Sequence, residues 1–355
     1  MDAKKTLEAI VPKVRESVLQ AIKTEQDRIR GKYLFMDEML EHVVELAKSG
    51  KRLRGAFTYF SYLMHGGTDK KEIMRITAVP ELIQLFLLIH DDIIDEDDLR
   101  RGVTTMHKAY RDFHRIVFKK RDSYHFGESI AICAGDIVSH LAFKTLAQSK
   151  FNPENLVKAA AAVHGHVIEV GYGEALDSFS EVMNNVKEDF ILKMLALKTS
   201  KYTYEAPLHL GAILAGASDK DLQALTKYSL PGGTAFQIQD DILGMFGDEE
   251  KTGKPAYSDL AEGKQTILIL RTMEKASPKG KALVVKSLGN PAVGNRRLEQ
   301  VRQVIKDCGA LDYAKEMAKK LVKVAKRNLI KYSSGKGEGR EFLLGVADYM
   351  IDREF

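Results

Sequence analysis

Residues 91–98 read DDIIDEDD and follow directly on the apolar run ELIQLFLLIH, residues 81–90. On a continued helix Asp91 and Asp95 stand one turn apart on one face, with Asp92 beside them. Carboxylates this close repel unless a cation lies between them. Mg²⁺ prefers such hard oxygen ligands, taking one or two while keeping waters and substrate phosphates. The spacing therefore points to a metal bridge to a phosphorylated ligand. An isolated cluster of this kind would equally fit a solvated acidic helix end, but the apolar run ahead of it favours the bridge.

A second acidic pair interrupts another apolar pattern far downstream, in FQIQDDILG, where Gln237, Asp240 and Asp241 sit among Phe236, Ile238, Ile242 and Leu243. Two facing carboxylate clusters across one cavity account for both insertions, as in metal sites of helical bundles. Diphosphates also need fixed cations. Candidates are Lys51 and Arg54 in GKRLR, Arg100 and Arg101 after the first cluster, Lys198 beside Thr199, Lys254 in TGKP and Lys264 in EGKQT. Each alone reads more naturally as a surface cation, and the set carries the argument.

The elements that must hold these residues are helical. Apolar residues recur at helical spacing near the start (Leu7, Ile10, Val11, Val14, Val18) and near the end (Leu311, Ala314, Met317, Leu321, Val324), and no alternating strand stands out. Pro153 and Pro291 fall at breaks. The expected architecture is all-α with no sheet, a single large helical bundle around a central cavity, as one domain over residues 1–355. SSGKGEGR, residues 333–340, reads as a flexible stretch before a last short helix, either a closing flap or a docked terminus.

Of 355 residues, 45% are hydrophobic and 29% charged, the balance of a globular protein. The formal charge of +5 suits anionic ligands, but there are no long basic blocks, so no nucleic-acid partner is expected. Asp2, Glu8 and Glu16 do not fit a signal or transit peptide, and the longest apolar stretch is short for a membrane span; a cytoplasmic enzyme is expected. Cys133 and Cys308 are too few for a disulfide framework and are expected as buried small apolar residues.

In order along the chain, GKRLR, LLIHDDIIDEDDLRRG, KTS, FQIQDDILG, TGKP and EGKQT resemble the motifs of the trans-isoprenyl diphosphate synthases, the polyprenyl synthetase family, and specifically its archaeal-type short-chain branch. The resemblance implies the isoprenoid synthase fold, a homodimer, and a Mg²⁺-dependent prenyltransferase that condenses isopentenyl diphosphate with allylic diphosphates by ionisation, condensation and elimination. It implies that Asp91, Asp92 and Asp95 hold Mg²⁺ on the allylic diphosphate, and that Asp240 and Asp241 hold a further ion. Lys198, Thr199, Gln237, Lys254, Lys264 and Arg100 would contact the leaving group, while Lys51, Arg54, Gln84 and Arg101 would hold isopentenyl diphosphate. Glu96, Asp97 and Asp98 remain as outlying or solvated charge. Three departures stand out: Gly55 where proline is frequent, a change expected to be harmless, Gly244 where a third acid is frequent, and Gln84 where histidine is frequent.

If Asp91 lies at the mouth of the cavity, Phe86, Leu87 and Ile83 line the hole into which the product grows. Phe86 falls roughly 7.5 Å along the helix axis from Asp91 and could act as a floor, or be an ordinary core residue. One aromatic here without a second beside it resembles enzymes that stop at geranylgeranyl diphosphate (C20), with farnesyl diphosphate (C15) as the alternative. Other classes fit less well. A terpene cyclase would need a second metal motif of another type, His90-Asp91 lacks the further histidines of a metal phosphohydrolase, and a non-catalytic modulatory subunit would not need both acidic clusters.

Overall fold

The computed structural model describes residues 2–183, 186–247, 258–290, 292–332 and 334–352. Chain contacts divide it into two compact units, one made of residues 5–160 and 210–216, the other of residues 1–4, 161–209 and 217–355. Among the described residues the chain is all-α apart from one two-stranded hairpin.

The first unit carries α1 (Ala3–Ile29, of which Lys5 onward belongs here), α2 (Met36–Lys48), α3 (Leu53–Met64), α4 (Lys70–Ile76) and α5 (Ala78–Ile94). The hairpin β1 (Leu99–Arg100) and β2 (Val103–Thr104) follows, then α6 (Met106–Val117), α7 (Ser123–Ala147) and the opening turns of α8 (Pro153–Val182). The predicted stripe of α1 is buried at Leu7, Ile10, Val14 and Val18, with Val11 at its edge. α5 packs along α7, and its Leu82, Ile83, Phe86 and Ile89 are buried.

The hairpin departs from the expectation of no sheet. Leu99 pairs with Thr104 and Arg100 with Val103 around a two-residue turn, Arg101-Gly102, whose φ angles are 53° and 79°. Both central residues of such a tight turn must be left-handed, a cost Gly102 avoids and Arg101 bears. A two-residue strand is too short to leave a periodic signal in the sequence.

The second unit continues α8 and adds α9 (Glu188–Leu195), a π-helix over Ala196–Glu205, and α10 (Ala206–Leu214), which ends in the first unit. It then adds α11 (Asp219–Phe246), α12 (Ser258–Glu262), α13 (Ile267–Lys275), α14 (Pro278–Ser287), α15 (Asn295–Asp307), α16 (Ala310–Lys331) and α17 (Gly337–Asp352). α11 starts at a capping box formed by Ser218 and Asp221 and packs along α16 and the π-helix. Pro231 inside α11 cannot donate to the Lys227 carbonyl, and Asn328 of α16 does so instead, at 2.7 Å.

The buried stripe of α16 is Ala310, Ala314, Ala318, Val322, Ala325 and Leu329, so Leu311, Met317, Leu321 and Val324 flank the contact rather than fill it. Small alanines there let the helix approach its neighbours closely. The last helix is docked: Phe342, Leu343, Val346 and Met350 are buried, and the Tyr228 hydroxyl donates to the Leu343 carbonyl at 2.7 Å.

Two expectations need correction or qualification. Cys133 is exposed and Cys308 half-buried, because α7 turns Ala131, Ala134 and Val138 inward and leaves Ile132, Cys133 and Ile137 outside. Residues 70–94 and 123–147 are each long and apolar enough to cross a bilayer by length and composition alone; 67% of the first stretch's most apolar window is buried within the protein, as for a core helix.

Candidate active site

In the first unit the acidic cluster forms where α5 ends. The Asp95 N–H still donates to the Asp91 carbonyl at 2.8 Å, so the helical turn that sets the two carboxylates on one face is intact. Glu96 then adopts φ 55° and turns the chain toward the hairpin. The hairpin returns Arg100 into the cluster: its guanidinium donates to Asp92 Oδ1, to Asp91 Oδ2 at 3.1 Å and to Asp97 Oδ2 at 3.4 Å. Carboxylate oxygens of Asp95 and Asp97 lie within 4.8 Å of one another. Asp97, read from sequence as outlying charge, is thus part of the cluster, whereas Asp98 is exposed and pairs with Arg111 at 2.8 Å.

Four carboxylates therefore gather around one arginine. Asp92 is almost wholly enclosed, 1% exposed, and its Oδ2 has no hydrogen-bond partner among the described residues. Burial pushes its carboxyl up to about 7, Arg100 pulls the other way, and Asp91 and Asp97 add to the rise. An all-oxygen donor set with surplus negative charge and an unmatched buried oxygen fits a hard divalent cation such as Mg²⁺.

The same unit holds the expected isopentenyl diphosphate residues. Lys51 is exposed and Arg54 half-buried at the start of α3, and Arg101 is exposed at the hairpin turn. Gln84 of α5 is half-buried, and its Oε1 has no hydrogen-bond partner among the described residues. Ile83 and Phe86 are buried and Leu87 half-buried, with the Phe86 ring edge-on to His90 at 5.7 Å.

In the second unit Lys198 and Thr199 lie on the π-helix, a form that in proteins often marks functional sites. Gly173 of α8 approaches so closely that an added Cβ would come within 2.4 Å of the Lys198 backbone nitrogen. Lys198 Nζ donates to Glu174 at 2.8 Å and to Asp177 at 2.5 Å. Thr199 Oγ1 donates to Gln237 Oε1 at 2.7 Å, and Gln237 Nε2 donates to Asp241 Oδ1 at 2.9 Å. This chain of bonds fixes the orientation of the Gln237 amide and ties the lysine element to the second acidic pair. Asp240 and Asp241 are half-buried, Lys264 pairs with Glu262 at 2.5 Å, and Lys254 lies outside the described residues.

Glu174 and Asp177 are functional candidates that sequence reasoning missed. Their spacing of three residues within the helix α8 was the available signal, since it sets both on one face.

A family model described as polyprenyl synthetase matches residues 35–306, well over half of the chain and a span that includes both acidic clusters. The chain belongs to the polyprenyl synthetase family. Among curated members, this polyprenyl synthetase is 34% identical to the geranylgeranyl diphosphate synthase of Sulfolobus acidocaldarius over 86% of this chain and 87% of that one. It is also 34% identical to the geranylfarnesyl diphosphate synthase of Aeropyrum pernix, over 86% and 90%. A solved structure of geranylgeranyl pyrophosphate synthase from Corynebacterium glutamicum, complexed with isoprenyl diphosphate and magnesium, shares the fold of this polyprenyl synthetase with a TM-score of 0.91. That likeness covers 99% of this chain and 100% of that one at 30% identity.

Proposed function

We propose that this polyprenyl synthetase is a trans-prenyltransferase that condenses isopentenyl diphosphate with allylic diphosphates and makes geranylgeranyl diphosphate as its main product. The observation that carries the reading is the surplus of carboxylate around Arg100 in a chain of this family. Asp91, Asp92 and Asp95, joined by Asp97, are the residues that would hold Mg²⁺, and Asp240 with Asp241 a further ion. Bound there, Mg²⁺ would supply the positive charge that lets a diphosphate sit beside carboxylates and depart from an allylic carbon.

The chain's own residues do the rest. Lys198, Thr199, Gln237, Lys264, Lys254 and Arg100 are assigned to the leaving diphosphate, where preorganised donors are worth most because charge develops there. Lys51, Arg54, Gln84 and Arg101 are assigned to isopentenyl diphosphate, to which the Gln84 amide N–H groups would donate. Condensation follows as the isopentenyl double bond attacks the allylic cation, and the released diphosphate takes the proton. Residues 1–355 act in this reading as one catalytic domain and as a homodimer in the cytoplasm, on the strength of the family resemblance.

Product length rests on Phe86, backed by Ile83 and Leu87. The names of the Sulfolobus and Corynebacterium relatives support C20, and that of the Aeropyrum relative marks the next longer product as the alternative outcome. The deciding experiment gives the purified protein isopentenyl diphosphate, dimethylallyl diphosphate and Mg²⁺ and separates the products by length. Geranylgeranyl diphosphate is expected, with Phe86→Ala shifting the distribution to longer chains. Hydrocarbon products or no turnover would overturn the class, and an unchanged length in Phe86→Ala would overturn the floor.

A further inference from the structure

The loop Gly50-Lys51-Arg52-Leu53-Arg54 carries two candidate phosphate cations, yet the start of α3 that holds it has no cap of its own. The capping position is occupied by Arg52, in the left-handed region at φ 49° and ψ 33°, and its side chain makes no capping hydrogen bond. A helix's first four N–H groups lack intrahelical partners, and when buried they must be satisfied from elsewhere. Gly55 is buried and its N–H is one of these four.

The partner comes from a different helix. Glu81 of α5, 4% exposed, accepts the Gly55 N–H on Oε1 at 2.9 Å and the Arg52 guanidinium on Oε2 at 3.3 Å. Arg52 also donates to the Ala47 carbonyl at the end of α2. One buried carboxylate thus caps a helix N-terminus, where negative charge is favoured, and neutralises the buried arginine between Lys51 and Arg54. The Arg101 guanidinium rests against Gly50 at the other end of the loop, so close that an added Cβ would come within 2.7 Å of it. The departure of Gly55 from proline is what makes this possible, since proline has no N–H to donate.

We infer that Glu81 is a positioning residue for isopentenyl diphosphate: it contacts no substrate and fixes the loop that presents Lys51 and Arg54. The inference rests on the assignment of those two residues under the proposed function. Two effects compete when Glu81 is neutralised. Net positive charge at the loop rises, which would tighten diphosphate binding, while Arg52 is left buried without its counter-charge, which dislocates the loop. The second wins, because Arg52 is only 7% exposed and cannot regain solvent without moving the chain that carries its neighbours.

Steady-state kinetics of the full-length enzyme with both substrates tests this. In Glu81→Gln the amide oxygen can still accept from Gly55, but no charge faces Arg52. The expected result is a KM for isopentenyl diphosphate raised roughly 10-fold, with kcat and the allylic KM within about 3-fold of wild type. Glu81→Asp, which keeps the charge on a shorter arm, recovers part of the loss. A thermal melt of each variant shows that it is folded. A KM for isopentenyl diphosphate that is unchanged or lower, or equal losses for both substrates, overturns the inference while wild-type turnover leaves the functional reading intact. Absence of isopentenyl diphosphate turnover by the wild-type enzyme sinks the functional reading and the inference together.

Discussion

Two cation-centred clusters, one in each unit, differ in how heavily carboxylates outnumber the cation. Around Arg100, the carboxylates of Asp91, Asp92 and Asp97 converge on a single guanidinium, with Asp95 beside Asp97 and with Asp92 sealed from solvent. Around Lys198, Glu174 and Asp177 flank one ammonium that keeps 24% of its side chain exposed. Buried charge is tolerated only when paired. The first cluster sets four carboxylates near one guanidinium, whereas the second sets two against one ammonium and stays in reach of water. A divalent ion suits the more heavily acidic first cluster; in the second, the part-exposed Lys198 ammonium is the group that would meet an arriving anion.

The largest effect should come from removing a carboxylate of the first cluster. Asp91→Ala is expected to lower kcat by at least roughly 10² to 10³, by analogy with loss of one preorganised group elsewhere. Asp177→Ala should cost far less in kcat, because Lys198 retains Glu174. Equal losses in the two variants, measured with saturating substrates, would erase the distinction between the clusters. Next in size is Lys198→Ala, which removes one charge-assisted contact of about 1.5–3 kcal/mol and should raise the allylic KM roughly 10- to 100-fold. The KM for isopentenyl diphosphate should move little, and a rise in that constant instead would move Lys198 to the other substrate.

The first cluster was the more legible in sequence, and the reason is contrast. Asp91 and Asp95 interrupt an apolar run at a spacing that puts them on one face, and a polar insertion in a core helix demands an explanation. Glu174 and Asp177 have a helical spacing too, but α8 also leaves Tyr172, Phe179 and Val182 exposed, so its polarity does not mark an inner face. Asp97 joins its cluster only because the hairpin folds Arg100 back, and a two-residue strand writes almost nothing into sequence. Glu81 hides within the apolar run, its partners being a backbone N–H and an arginine 29 residues earlier. The all-helical class was plain from periodicity. The exact buried stripe of α16 was not, since alanine counts weakly in an apolar pattern but wins where helices approach closely.

Mg²⁺ alone should separate the clusters at the level of stability. A ligand that binds only the folded state stabilises it by about 2.7 kcal/mol at 100 times its dissociation constant. For a chain of this size that is a rise of several degrees in Tm. Without substrate, wild type and Lys198→Ala are expected to show this rise when millimolar Mg²⁺ replaces a chelator, and Asp92→Asn and Asp95→Asn to lose most of it. A rise that survives in both aspartate variants would place the dominant ion elsewhere, with Asp240 and Asp241 as the next pair to change.

The smallest expected effect concerns acid, and it arises away from both clusters. His166 of α8 is buried in the second unit, edge-on to His209 at 5.4 Å. Burial lowers its pKa to about 4; Glu205 opposes the fall, His209 adds to it, Glu169 opposes it and Lys201 adds to it. A folded-state value below the ordinary 6.5 means that the unfolded chain binds the extra proton first. The stability gained by keeping His166 neutral is therefore present above about pH 6.5 and lost as the pH falls toward 4. Between pH 7 and pH 5 the loss is on the order of 1 kcal/mol. Denaturant melts at pH 7 and pH 5 should show wild type losing more stability than His166→Leu, which keeps an apolar side chain at the position. Identical losses would place the acid sensitivity in other groups, with the surplus carboxylates around Arg100 the first to test, since protonating them changes the charge balance that sets the two clusters apart.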